Sequence, residues 1–74
     1  MKKENRITLY KKLWCKIRYW QHLMDVKDSE LASLLQISER MLHEYDKNAK
    51  NVTLEKIDIF LHTNHMEISD LIAL

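Results

Sequence analysis

The side chains of types that often carry chemistry include the single cysteine, Cys15, and two closely spaced histidines of the four in the sequence, His62 and His65. The two histidines lie three residues apart, a spacing that can place two imidazoles on one metal ion, but no Cys or carboxylate is reliably placed to complete a site. Cys15 lies among apolar helix positions, where we expect a buried or half-buried thiol rather than a reactive one. A glycine-rich phosphate loop and a nucleophile beside a base are both missing from the sequence. We therefore expect no metal, no cofactor, no small-molecule substrate and no enzymatic activity.

The stretch QISERMLHEYDK, residues 36–47, carries the most informative surface pattern. In a helix, Leu42 and Tyr45 would point inward together, because residues three apart share a face. The outward positions would then be Glu39, Arg40, His43 and Glu44. Met41 has two open interpretations: a residue at the edge of the core, or an adaptable apolar contact at the centre of a protein interface.

The elements that position these side chains are predicted from length and composition. A chain of 74 residues forms one small domain, residues 1–74, because so short a chain buries only about 60% of its unfolded surface. It is 46% apolar and contains neither Gly nor Pro, which favours an all-α fold over hairpins. The single cysteine fits a reducing cytosol, and neither a membrane span nor a signal peptide is visible. We expect a soluble cytoplasmic protein with no membrane partner.

Charge is unevenly distributed along the chain. Residues 1–20 hold seven basic groups and one acidic group, a net charge of +6, whereas residues 21–74 hold five basic and ten acidic groups, a net charge of −5. We therefore expect a basic first helix joined to an acidic body.

Apolar spacing predicts five helices. A long first helix runs from about Ile7 to Met24, and Asp28 is a plausible N-cap of the second. Ser38 and Thr53 can cap the third and fourth, and Asn64 is a natural left-handed stop before a short fifth helix. The predicted core consists of Leu13, Ile17, Trp20, Leu31, Ala32, Leu35, Ile37, Leu42, Tyr45, Leu54, Ile57, Phe60 and Leu71.

The segment DSELASLLQISERMLHEYDKNAKNVTLEKI resembles the Cro/C1-type helix-turn-helix family of phage and bacterial regulators. The likeness extends over residues 16–72 and rests on Leu31-Ala32, Leu35, Ile37-Ser38, Leu42, Tyr45-Asp46, Asn51 and Thr53-Leu54-Glu55. It implies a five-helix, lambda repressor-like fold with the motif at about residues 28–46. In this family the third helix usually enters the major groove of DNA, often in a dimer.

Several residues depart from the pattern that this family shows. At the position of Asp28 the family usually has Gln, which contacts a phosphate, whereas an acid would repel it. Gln36 replaces the turn Gly and is expected to strain the turn or change its shape. Near the motif there are three cations (Arg40, Lys47 and Lys50) and five acids (Asp28, Glu30, Glu39, Glu44 and Asp46). That balance has the wrong sign for tight binding to phosphates.

Two functions remain open. In the first, the third-helix residues dock on a basic surface of a partner repressor, as an antirepressor or modulator of repression does in a temperate-phage switch. In the second, the protein binds operator DNA directly in a bacterial host cell, as Cro-like repressors do. The predicted contact residues of the third helix are Ser38, Glu39, Arg40, Met41, His43, Glu44 and Lys47, with Asp28 and Ser29 at the start of the second helix. The predicted phosphate contacts are Lys11, Lys12, Lys16, Arg18 and Lys50.

Overall fold

The computed structural model describes residues 7–74, and within them it contains five α-helices and no strand. The helices are α1 (Leu9–Leu23), α2 (Asp28–Leu35), α3 (Glu39–Lys47), α4 (Leu54–Thr63) and α5 (Ile68–Ile72). A short 3-10 helix, Ala49–Asn51, connects α3 to α4. The all-α class is confirmed, and no helix among the described residues is long and apolar enough to cross a membrane.

Helix α1 is the longest element and packs against α5 and against the 3-10 helix. Its first turn is capped by Thr8, whose hydroxyl accepts a hydrogen bond from the backbone N–H of Lys11. Its buried residues lie on one face: Leu13, Trp14, Ile17 and Gln21. Of these, Leu13 and Ile17 belong to the predicted core. Met24 and Asp25 follow the helix, and Asp25 has the left-handed backbone angle φ of 55°.

Helices α2 and α3 are joined by only three residues, Gln36, Ile37 and Ser38. Gln36 has φ of 62° and ψ of 43°, and the N–H of Ile37 bonds the carbonyl of Ala32 at 2.9 Å. This is the left-handed helix end that Gly usually occupies, so the turn keeps its ordinary shape although a side chain is present. Ser38 caps α3 as predicted, accepting from the N–H of Met41 at 3.1 Å.

Two of the predicted helix boundaries are wrong. The N-cap of α2 is Lys27, whose backbone N–H donates to Glu30, whereas Asp28 is the first helical residue and its carboxylate bonds other helices. At the end of α4 the left-handed residue is His65, with φ of 55°, and not Asn64. Asn64 instead donates its side-chain amide to the carbonyl of Phe60 at 2.8 Å, which satisfies the helix end in another way.

The core forms where the inner faces of all five helices meet, and most of the predicted residues are buried there. Two aromatic pairs meet edge to face: Trp14 with Tyr45, with ring centroids 5.2 Å apart, and Trp20 with Phe60, at 4.9 Å. Trp20 and Ile37 are half-buried at the edge of the core.

The prediction for Leu54 is wrong, because this residue is 80% exposed. It occupies the first helical position after the Thr53 cap, and the face that α4 buries begins only at Ile57. Ala49 and Val52 complete the core from the 3-10 segment, which the helical pattern did not identify.

Replacing Gln36 with Gly should stabilise the protein by up to about 1 kcal/mol. A side chain in the left-handed region costs roughly 1–2 kcal/mol, part of which is offset by the greater freedom of Gly in the unfolded chain. Urea denaturation measures the change, with Gln36→Ala as the control that keeps a Cβ atom. An equal or lower midpoint for Gln36→Gly than for Gln36→Ala would contradict the strain.

Candidate functional site

The outward side of α3 presents the residues that sequence analysis singled out as contacts. We call this surface the α3 face and define it as Ser38, Glu39, Arg40, Met41, His43, Glu44 and Lys47, all of which are exposed. Leu42 and Tyr45, on the opposite side of the helix, are buried and fix its orientation. The sequence thus correctly predicted which side of α3 faces the solvent.

Met41 belongs to this face and is 43% exposed. It lines a shallow depression together with Ser38, Arg40 and Glu44. Of its two interpretations, the structure favours the outward one, because the side chain offers an apolar contact surrounded by charged groups.

A cluster of polar side chains behind the α3 face ties three helices together. The guanidinium of Arg18, on α1, bonds the carboxylate of Asp46, on α3, through Nε at 3.0 Å and Nη2 at 2.6 Å. Its Nη1 donates to Asp28, on α2, at 2.8 Å. We call this arrangement the Arg18 clamp and include in it Arg18, Asp28 and Asp46. Arginine suits such a site, since its planar group can bond one carboxylate with two parallel N–H groups and still reach another.

Three further side chains complete the hydrogen bonding of the clamp. The indole Nε1 of Trp14 donates to Asp46 at 2.8 Å, and His43 Nε2 lies 2.9 Å from Asp28 Oδ2. Gln21 is buried and donates to both Asp28, at 2.7 Å, and the carbonyl of Val26, at 3.1 Å. No buried side-chain N or O atom among the described residues is left without a partner.

These bonds favour the ionised carboxylates. Hydrogen bonds from His43, Gln21 and Arg18 lower the pKa of Asp28 well below its usual range. Partial burial opposes the ionisation of Asp46, but bonds from Arg18 and Trp14 outweigh it and lower the pKa of that carboxyl as well. The pKa of Arg18 is raised, chiefly by its bonds to Asp46.

The clamp changes the charge balance that the sequence suggested. Asp28 and Asp46 were counted as acids repelling phosphate, but both are paired internally with Arg18. The α3 face itself then carries two acids and two bases, with the histidine counted as neutral. It is a mixed surface without net positive charge, rather than a strongly acidic one.

The predicted phosphate contacts fall into two groups. Lys11 and Lys12 are exposed on α1, and Lys50 is exposed in the 3-10 helix. Lys16 donates to the carbonyl of Leu74, and the guanidinium of Arg18 is engaged in the clamp, so these two are turned toward the protein itself. Ser29 is exposed beside Asp28 at the start of α2.

Sequence reasoning did not predict the hydrogen bonds between helices that Trp14, Gln21 and Asp46 make. Their signal was the spacing of Trp14, Arg18 and Gln21, which step by four and three along one edge of α1. A polar row beside an apolar face indicates contacts with neighbouring helices, but it does not name the partners. The predicted burial of Cys15 is wrong, because this residue is exposed on α1.

Comparison of the chain with known protein families, curated proteins and solved structures finds no match. Among residues 7–74, no three His, Cys, Asp or Glu side chains lie together in a way that could hold a metal ion.

Replacing Arg18 with Met should destabilise the protein by about 1–3 kcal/mol. The substitution leaves two carboxylates without their cationic partner, although the remaining exposure of all three side chains, 26–39%, moderates the loss. Arg18→Lys should recover only part of the stability, since one ammonium cannot reproduce the paired N–H bonds. Urea denaturation tests this, with Arg40→Met, on the exposed α3 face, expected to change stability by less than about 0.5 kcal/mol. Equal effects at the two arginines would contradict the role of the clamp.

The clamp also predicts a dependence of stability on pH. Because the pKa values of Asp28 and Asp46 are lower in the folded protein, their contribution is fully present above the unfolded value, about 3.9, and is lost as the pH falls through the folded values. The urea midpoint of the native chain should therefore fall steeply below about pH 4. In Arg18→Met the decline should be shallower, and in Asp58→Asn, on α4, it should follow the native curve. If the urea midpoints of the native chain and of Arg18→Met fall in parallel with pH, the clamp is not the cause of the pH dependence.

Proposed function

We propose that this chain is a small helix-turn-helix regulator of transcription that acts by binding a partner protein, a repressor-type DNA-binding protein, through the α3 face. The arrangement of α2 and α3 supports the helix-turn-helix part of the proposal. A three-residue connection joins them, Ala32 is buried on α2, and Leu42 and Tyr45 anchor α3 so that its other side projects into solvent. Such a protein would serve as an antirepressor or modulator in a switch of the temperate-phage type.

The observation that carries the proposal is the composition of the α3 face. The exposed Met41 lies beside Arg40 and Glu44, and the face as a whole has no net positive charge. Methionine and arginine are enriched in protein interfaces, where an apolar centre is surrounded by polar groups. A surface that binds DNA needs an excess of cations instead, because contacts with phosphates supply much of the affinity. Glu39 and Glu44 would face basic groups of the partner, and Met41 an apolar side chain.

The position of Arg18 supports the same conclusion. This cation comes close to both α2 and α3, but its N–H groups bond Asp28, Asp46 and Gln21. A guanidinium held in this way adds little to the attraction of a phosphate. The guanidinium of Arg18 therefore cross-links the helices instead of being available to a phosphate.

Direct binding of operator DNA is the second candidate, and one observation favours it. Arg18 is paired with the carboxylate of Asp28, so the acid at the start of α2 repels a phosphate less than its sequence position suggests. Arg40 is exposed and could pair with guanine, while Lys11, Lys12 and Lys50 could contact phosphates. His43 and Met41 would then lie at base edges.

Reversing two charges on the α3 face distinguishes the two candidates. In the variant Glu39→Lys/Glu44→Lys, binding of the partner should be lost and affinity for duplex DNA at low salt should rise, because the face gains four units of positive charge. Isothermal titration with the DNA-binding domain of a repressor encoded beside the gene, and fluorescence anisotropy with duplex DNA, measure the two effects. The matched control is Glu55→Lys/Asp58→Lys, which makes the same change in net charge on exposed positions of α4. This control should retain the partner.

Binding of the unmodified protein to DNA gives the decisive contrary result. If the protein alone retains one DNA sequence from a random pool in low salt, and the double variant loses that complex, direct operator binding is the function. If the native protein does not select a DNA sequence but co-elutes with the repressor domain, the partner-binding proposal stands.

A further inference from the structure

An open groove lies between the first half of α1 and the end of α3. It has a volume of about 320 Å³ and is lined chiefly by Tyr10, Lys11, Trp14, Cys15, Lys47 and Ala49. That volume is at the low end of the roughly 300–1,000 Å³ of ligand pockets, so the groove suits one or two side chains of a peptide better than an enclosed small molecule. We call it the α1–α3 groove.

The groove has an apolar floor that is fixed in place. Trp14 is buried, its ring meets Tyr45 edge to face, and its indole N–H is bonded to Asp46. Ala49 is also buried, whereas Tyr10 is 40% exposed and the thiol of Cys15 is open to solvent. A side chain entering the groove would therefore pack against Tyr10 over a floor that is already fixed, which lowers the entropic cost of binding.

The rim of the groove is positively charged. Asp46 lies on the wall, but its carboxylate is paired with Arg18. Lys11 and Lys47 flank the opening, and within residues 7–74 neither ammonium lies within 4.0 Å of a carboxylate. An apolar floor between two such cations is complementary to an apolar side chain that is flanked by acids.

We propose that the α1–α3 groove binds an acidic peptide segment of a partner protein. An aromatic or leucine side chain of that segment packs against Tyr10 above the buried Trp14, and neighbouring carboxylates contact Lys11 and Lys47. This site is separate from the partner contact proposed for the α3 face, with which it shares only Lys47.

Two other occupants fit the groove less well. Nucleic acid requires a track of cations along its backbone, whereas this groove offers two lysines around an apolar floor. A second copy of the chain would have to bring a different surface, such as its α3 face, to the groove. Such a head-to-tail contact does not close in a pair and would propagate into open chains.

The test uses the full chain labelled with ¹⁵N and a synthetic peptide in which a Leu-Phe pair is flanked on both sides by Glu and Asp. Addition of the peptide should shift the NMR signal of the Trp14 indole N–H. The indole signal of Trp20, which packs against Phe60 outside the groove, is the internal control and should stay in place. The peptide should also slow alkylation of Cys15 by iodoacetamide. A peptide with Gln and Asn in place of the acids should do neither.

Substitutions at the rim test the chemistry of recognition. Lys11→Glu and Tyr10→Ala should each weaken peptide binding by about tenfold, because the first reverses a contacting charge and the second removes an apolar wall. Lys12→Glu is the matched control, since it makes the same charge change on an exposed position of α1 outside the groove, and should have less than about a twofold effect. Lys47 is left unchanged because it belongs to both surfaces. Glu39→Lys/Glu44→Lys should retain the peptide, so that failure of the proposed function and failure of this site are distinguishable.

Several results would overturn the proposal. An unmoved Trp14 signal at saturating peptide, or equal losses in Lys11→Glu and Lys12→Glu, would show that the groove is not the binding site. If duplex or single-stranded DNA shifts Trp14 and the peptide does not, the groove binds nucleic acid. If sedimentation shows self-association that Lys11→Glu abolishes, with no response to the peptide, the occupant is a second copy of the chain.

Discussion

The arrangement of α1, α2 and α3 depends on one guanidinium. Arg18 bonds a carboxylate at the start of α2 and another near the end of α3, so a single side chain fixes both ends of the helix pair relative to α1. The three-residue connection alone leaves the angle between α2 and α3 open to small changes, which the cross-links restrict. Gln21 satisfies the remaining polar atoms from the buried side of α1, so partial burial of the ions does not leave an unpaired group.

The clamp also decides which charges are available to a partner. It pairs one cation with two acids that remain 38–39% exposed, so the charges around α3 are grouped differently from those in the sequence. The α3 face holds two acids and two bases besides Met41. At the α1–α3 groove, pairing of Asp46 with Arg18 leaves lysines at the rim. Two surfaces of different character thus result from one internal set of ion pairs.

Local patterns predicted the helices well because helix formation depends on neighbouring residues. Ser38 and Thr53 act as caps, and Leu42 and Tyr45 are buried, as their spacing indicates. The predicted burial of Leu54 is wrong because periodicity does not indicate at which turn a helix first contacts the core. Because the sequence contains no Gly, other residues take the left-handed positions at the turns, namely Asp25, Gln36 and His65. Periodicity does not predict which residues these are. Only tertiary packing decides which polar residue accepts that strain.

The clamp was not predictable from local patterns, since Arg18 and Asp46 are 28 residues apart in sequence. A count of charges treats each ionisable group as unpaired. It therefore counted Asp28 and Asp46 as acids that repel phosphate and Arg18 as a phosphate contact. The spacing of Trp14, Arg18 and Gln21 indicated a polar edge on α1, but many acids could have met it. The sequence patterns therefore do not predict which distant residues pair at this site.

The clamp forms a continuous physical link between the two proposed surfaces. Asp46 lies on the wall of the groove and bonds Arg18, which bonds Asp28, which in turn contacts His43 on the α3 face. Contiguity alone does not make a signal, because coupling requires an element with two arrangements that both sites bias. The clamp bonds its groups in one arrangement that cross-links α1, α2 and α3. On these grounds the link is a rigid support that holds both surfaces in fixed relation, and a partner that engages both would gain affinity from their geometry rather than from a change in shape.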